Sequence, residues 1–278
     1  MLIGGIYAAA ALGFSLVWGV TNIINIAHGA FIMLGAYVTY WLFVGPLHLD
    51  PFLSIPLAMG VVFVIAYVLQ RYVVNLVIRA PILATFLLTF GLAILITNLA
   101  LLFWSSDIRS VTTAYSGGNF EVAGLVVPWV KLITLGLAAL LTLGLSLFMA
   151  KSKIGRAIRA TSMDIDAARL SGVNVARIYA LTFAIGGALA AAAGSLASVS
   201  YAITPTMGDS FLVRSFVVSV LGGLGNVTGA LVGGIVYGII ESFGALVFGE
   251  GYKDVVALVV LLLVILFRPY GLIGRATV

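Results

Sequence analysis

The sequence predicts an all-α, polytopic helical membrane protein with about 8–9 transmembrane helices, and three observations lead there. First, 63% of the 278 residues are hydrophobic and only 8% are charged, against roughly 45–50% and about 25% in an ordinary soluble domain. Second, at ~20 residues per bilayer-spanning helix, that apolar fraction leaves room for about eight spans. Third, stretches such as Leu132 to Ala150 run apolar on nearly every face, whereas a transmembrane β-barrel strand alternates polar and apolar residues over about ten positions. The chain has no cysteine, which excludes disulfides, thiolate metal sites and cysteine nucleophiles. Its two histidines, His28 and His48, sit in dissimilar settings, so no metal site is expected.

The elements follow in order. Residues 2–20 form the first apolar run; without a basic n-region or a small-residue cleavage site, it reads as a span and not as a removable signal. Asn22, Asn25 and His28 then precede Gly29 at the head of a second run, 26–45, and polar residues crowded at membrane depth suggest an interrupted helix. A third run, 52–70, ends at a break from Arg71 to Pro81, and a fourth, 82–104, carries Thr85 and Thr89 at i and i+4 on one face. Ser105 to Glu121 is a polar stretch too short for a domain, followed by a run at 126–150. After the basic segment 151–177 come runs at 178–200 and 227–248, a shorter one at 211–224 behind a loop from Thr204 to Arg214, and a last one at 254–268.

Two features stand out in the later runs. Gly225, Gly229 and Gly233 recur every four residues, a spacing that lets helix backbones approach closely; this reads as packing within the subunit, with a subunit interface or a lining of the path as the alternatives. Glu241 is a carboxylate inside a long apolar run, where insertion costs ~2.5–3.5 kcal/mol for a central acid. It needs an ammonium, a proton, or a salt-bridge partner such as Arg214 or Lys253.

Charge sets the orientation. Of 14 Lys plus Arg, ten fall in three places: Arg71 and Arg79; Lys151, Lys153, Arg156, Arg159, Arg169 and Arg177; and Arg268 and Arg275. The positive-inside rule places these regions, and so the C-terminus, in the cytoplasm, and it accounts for the net charge of +5 without a nucleic-acid partner. Parity then requires either that the short run 211–224 cross the membrane or that a neighbour be re-entrant.

The basic segment is the most informative stretch. Six bases less two acids give it a local charge of +4. A short helix is expected around Ile154 to Arg159. A second should run to Leu170, capped by Ser162 or Asp164 and closed by Gly172, with Ile165, Ala168 and Leu170 placed for a partner to bury.

The run GRAIRATSMDIDAARLSGVNVARIYALTFAIGGALAAAAG resembles the coupling segment and following span of branched-chain amino acid permeases of the high-affinity ATP-binding-cassette import type. Other blocks agree in order: Asn22 to Gly29, Met33 to Tyr37, Leu83 to Thr85 with Thr89 to Leu92, Val220 to Asn226, and Phe267 to Leu272. The chain departs from that pattern at Ala30, where the family often has an acid.

The resemblance implies a single transmembrane permease domain over 1–278, with a coupling segment at about 151–177, in the bacterial inner membrane among lipid. It implies a second permease subunit, two cytoplasmic ATP-binding subunits and a periplasmic substrate-binding protein. It also implies that the helix from Met163 to Leu170 docks on the ATPase, with Asp164, Asp166, Arg169 and Gly172 as the contact set. No G-x-x-x-x-G-K-[ST] occurs in this sequence, so ATP is expected on the partner subunits, with no cofactor in this chain. Asn22, Asn25, His28, Thr85, Thr89 and Glu241 are the candidates for the translocation path. Two rival readings are a urea or short-amide permease of the same machinery and an ion-coupled secondary transporter using Glu241. A membrane-embedded hydrolase is disfavoured, since neither G-x-S-x-G nor H-E-x-x-H is present.

Overall fold

The computed structural model describes residues 2–273 except 79, 114, 116, 123, 124, 269 and 270. Arg79 and Arg275, together with Ser116 of the polar stretch and Pro269 and Tyr270 of the block Phe267 to Leu272, lie outside the described residues. The helices are α1 (Gly4–Thr21), α2 (Ala27–Val44), α3 (Ile55–Val77) and α4 (Ile82–Trp104). Next come α5 (Trp129–Lys151), α6 (Lys153–Met163), α7 (Ile165–Leu170) and α8 (Val175–Ser198). The chain ends with α9 (Met207–Gly222), α10 (Val227–Phe248) and α11 (Lys253–Phe267). Among the described residues seven helices are long and apolar enough to cross a membrane, and α9 and α11, of 16 and 15 residues, are shorter.

The structure corrects two expectations and adds one feature. Residues 71–77 do not break the third span, because a π-helical stretch, Gln70–Val74, carries the helix on to Val77. Arg214 is not in a loop: helix begins at Met207, its first turn carrying Asp209. Beyond the fourth span the chain is not wholly helical, since Asn119–Val122 and Leu125–Pro128 pair antiparallel as a small hairpin.

Packing sorts the helices into an inner and an outer set. α1 and α8 are 83% and 89% buried over their spanning windows, whereas α3, α4 and α5 are only 22–28% buried and show apolar side chains outward, as a lipid-facing surface does. The inner helices come close because small residues face each other. A Cβ on Gly13 would meet the Gly186 carbonyl, and one on Gly194 would run into the Ile32 carbonyl. α2 lies parallel to α8, with Phe31 against Phe183, Gly35 against Ala191 and Thr39 bonded to Ser195. α1 lies antiparallel to α10, Gly4 packing on Gly234 and Gly19 on Gly225.

The glycine series divides between two elements. Gly225, with φ +82°, is in the turn ahead of α10, while Gly229 and Gly233 are on α10 and pack against Gly222 and Val218 of α9.

Candidate functional site

Three clusters of polar side chains are candidates for function. The first is an interruption between α1 and α2. α1 ends at Asn22 in the left-handed conformation, φ 53°, and α2 begins at Ala27 after an unwound link. His28, in the first turn of α2, bonds the Ala10 carbonyl at 2.8 Å and its ring lies beside Gly13. Gly13 precedes the end of α1, Thr21, by about 12 Å at ~1.5 Å per residue. The link therefore returns into the bundle, and α2 starts at depth.

Backbone polar groups at such a depth must be satisfied from within the protein. Thr89 of α4 does this: its Oγ1 accepts from the Ile26 amide at 3.3 Å and lies 3.1 Å from the Ile24 carbonyl and 3.0 Å from the Phe86 carbonyl, alternative acceptors for its one proton. Asn25 and His28 are buried, and Asn25 Oδ1 and His28 Nδ1 have no partner among the described residues. Thr85 is buried one turn away from Thr89 on the same face, and Asn22 is exposed.

The second construction is a charge cluster one turn further along α1 toward its start. Glu241 of α10 is 5% exposed. Tyr7 of α1 donates to its Oε1 at 3.0 Å, and Arg214 of α9 approaches the same oxygen to 3.6 Å. With the Tyr7 proton on Glu241, Tyr201 supplies the 3.1 Å bond between the two phenols. The Arg214 guanidinium lies 5.4 Å from the Tyr7 ring centre and 6.0 Å from that of Phe211. Insertion of the acid is thus compensated by a cation, a phenol and aromatic faces.

The third is the basic end of the bundle, where α5 delivers α6 and α7. Ser152 caps α6 by accepting from Gly155, and Asn174 caps α8 by accepting from Arg177. Asp164 Oδ1 caps α7, accepting from the Asp166 and Ala167 amides at 2.9 Å each. Ser162 is not a cap, because α6 runs through it to Met163 and its hydroxyl bonds back to Arg159. Gly172, φ +82°, closes α7, its amide on the Arg169 carbonyl and that of Val173 on the Ala168 carbonyl. Asp166 and Arg169 pair at 3.0 Å on an exposed face. Met163 and Leu170 are 87% and 91% exposed, while Ala168, expected at a partner's surface, is buried within this chain.

The sequence profile described as the branched-chain amino acid transport system permease component matches residues 1–265. The chain belongs to this family. It is 35% identical to the high-affinity branched-chain amino acid transport system permease protein BraD of Pseudomonas aeruginosa, over all of this chain and 94% of that protein. It is 31% identical to the permease protein LivH of Escherichia coli, over 99% of this chain and 94% of the relative. It is also 30% identical to the probable branched-chain amino acid transport permease protein LivH of Methanocaldococcus jannaschii, over 95% and 87%. No solved structure matches.

In this permease-family chain the structure brings Asn25, His28 and Thr89 together at the interruption and sets Glu241 apart with Arg214. Tyr7 and Tyr201 were missed in the sequence, and the one signal for Tyr7 is a phenol inside an otherwise Ala- and Gly-rich helix. Also missed is a clamp at the end of the bundle away from α6 and α7. Arg109 lies 5.2 Å from the ring centres of both Tyr40 and Trp41 and donates to the Trp104 carbonyl, and its backbone pairs with Ile203. Nearby, Tyr115 donates to Asp50 at 2.6 Å; burial first, then that bond, pushes its phenol pKa up.

Proposed function

We propose that the chain is a transmembrane permease subunit of an ATP-binding-cassette importer. It passes branched-chain or other small amino acids from a periplasmic binding protein into the cytoplasm by alternating access. The observation that carries this reading is the α6–α7 segment: a capped, ordered pair of short helices that leaves Met163 and Leu170 in solvent. A loop that served topology alone needs only charge, whereas apolar side chains held out on a rigid helix need a partner to cover them. The partner is the ATP-binding subunit, which holds the nucleotide; a second permease subunit completes the path. Asp164, Asp166, Arg169 and Gly172 set the docking geometry.

The interrupted segment forms part of the path, because an unwound link at depth is where helices break around a water-filled route. Asn25, His28 and Thr89 present polar groups there, with Asn22 and Thr85 beside them. The membrane is the bacterial inner membrane, and the basic end and C-terminus face the cytoplasm.

The test is uptake of labelled leucine and labelled urea into cells with and without this gene, alongside its neighbouring ATPase and binding-protein genes. Gene-dependent leucine uptake that stops when the ATPase is inactivated is the expected result. Urea uptake would replace the substrate and keep the mechanism; uptake indifferent to the ATPase would overturn the reading in favour of an ion-coupled transporter.

A further inference from the structure

Beside the Arg214–Glu241 pair lies a cavity of about 180 Å³ between α9, α10 and α11, lined by Ser210, Val213, Arg214, Val217, Tyr237 and Leu258. Its size exceeds the ~150 Å³ apolar cavity that holds one benzene molecule. Its lining joins one cation, Arg214, and two hydroxyl-bearing residues, Ser210 and Tyr237, to valine and leucine walls, the mixture by which small-molecule sites fix a polar head and bury an apolar body.

Glu241 is not in the lining. It stands behind Arg214 and approaches the guanidinium only to 3.6 Å, longer than the about 2.7–2.9 Å of a charge-assisted hydrogen bond. A guanidinium presents five N–H donors in a planar fork suited to a carboxylate. Its plane is steadied by Tyr7 and Phe211, and Tyr7 in turn bonds Glu241. Glu241 and Tyr7 therefore orient the arginine, and the cavity receives what the arginine binds.

We propose that this cavity is a cargo site for one small apolar carboxylate of branched-chain amino acid size, with Arg214 taking the carboxylate and Val213, Val217 and Leu258 the side chain. Arg214 is the binding residue; Glu241 is a positioning residue. The inference rests on the transport reading above and deepens it: the cargo's carboxylate competes with Glu241 for Arg214 as it passes.

The test uses the transporter assembled with its second permease and ATP-binding subunits, without the binding protein. Leucine binding is measured in competition with 4-methylpentanoate, which keeps the carboxylate and lacks the amine, and with 3-methylbutylamine, which keeps the amine and lacks the carboxylate. The acid should displace leucine and the amine should not. Val217→Trp, which fills the cavity while leaving every charged residue in place, and the paired Arg214→Gln/Glu241→Gln, which leaves no lone buried charge, should each weaken leucine binding by about tenfold or more. Val217→Trp that folds and binds leucine as the unaltered protein does, displacement by the amine alone, or no saturable leucine binding at millimolar concentration would each overturn the cavity assignment. ATP-dependent leucine uptake that persists unchanged in both variants would overturn this site and leave the importer reading standing, whereas ATP-independent uptake would overturn that reading itself.

Discussion

Tyr7 does two jobs with one side chain: its ring faces the Arg214 guanidinium, and its hydroxyl donates to Glu241. Tyr7→Phe keeps the ring and its edge contact with Tyr237, so the change isolates the hydroxyl. A hydrogen bond to a charged group contributes about 1.5–3 kcal/mol, and the variant should lose stability in that range, measured by thermal unfolding of the detergent-purified protein. An unchanged midpoint would mean that Glu241 does not depend on the phenol. This cluster was only partly legible in the sequence. A lone acid in an apolar run announces that it needs a partner, and the sequence offers Arg214 as one of two cations for it. Asp209, Ser210 and Arg214 made the start of α9 look like loop, because polarity in a short window resembles a connection when the neighbours that cover it are unknown. Tyr7 lies 234 positions from Glu241, and no local spacing encodes that approach.

At the scale of elements, short pieces of chain are held by single side chains and can be released by single changes. α7 has six residues, too few to be stable alone, and its start depends on the Asp164 carboxylate. Asp164→Ala removes a cap of about 1 kcal/mol; under the proposed coupling it should lower leucine uptake while the assembled ATPase keeps hydrolysing ATP. Normal uptake by this variant would separate the cap from coupling. Leu170→Asp should leave folding intact, since the side chain is 91% exposed, and should weaken capture of the ATP-binding subunit in a pull-down from membranes. The link between α1 and α2 has a similar dependence on Thr89. Thr89→Val keeps the shape and removes the bonds to Ile24 and Ile26, so hydrogen exchange over residues 23–26 should accelerate. If the exchange is unaltered, packing alone holds the link. The sequence made both elements visible through their punctuation, Asp164 with Gly172 and Asn22 with Gly29. It left open which of Ser162 and Asp164 is the cap, since either residue can accept from free amides, and the choice depends on where α6 stops.

The whole molecule is a buried pair of Ala- and Gly-rich helices inside a lipid-facing layer, and the direction in which each helix runs follows from a few contacts. α9 is the test of that arrangement, since its 16 residues span about 24 Å at ~1.5 Å per residue, less than a hydrocarbon core of about 30 Å. Its start follows Ile203, which pairs with Arg109 past the end of α4. Its end meets the other side of the bundle: Leu272, beyond α11, donates to the Leu221 carbonyl, and Gly271 packs on Gly223. A helix tied to opposite ends of the bundle crosses it, and inner helices bordering both ends compensate for the shortfall in length. Because the chain has no cysteine, single exposed residues can be replaced and labelled without a background. Ser106→Cys and Thr206→Cys should react with a membrane-impermeant maleimide applied to spheroplasts, and Ser171→Cys and Leu224→Cys only in inside-out vesicles. If Leu224→Cys labelled from the same side as Thr206→Cys, α9 would turn back within the bilayer, and the parity that carries the chain from the basic segment to the proposed cytoplasmic C-terminus would have to be met by another helix.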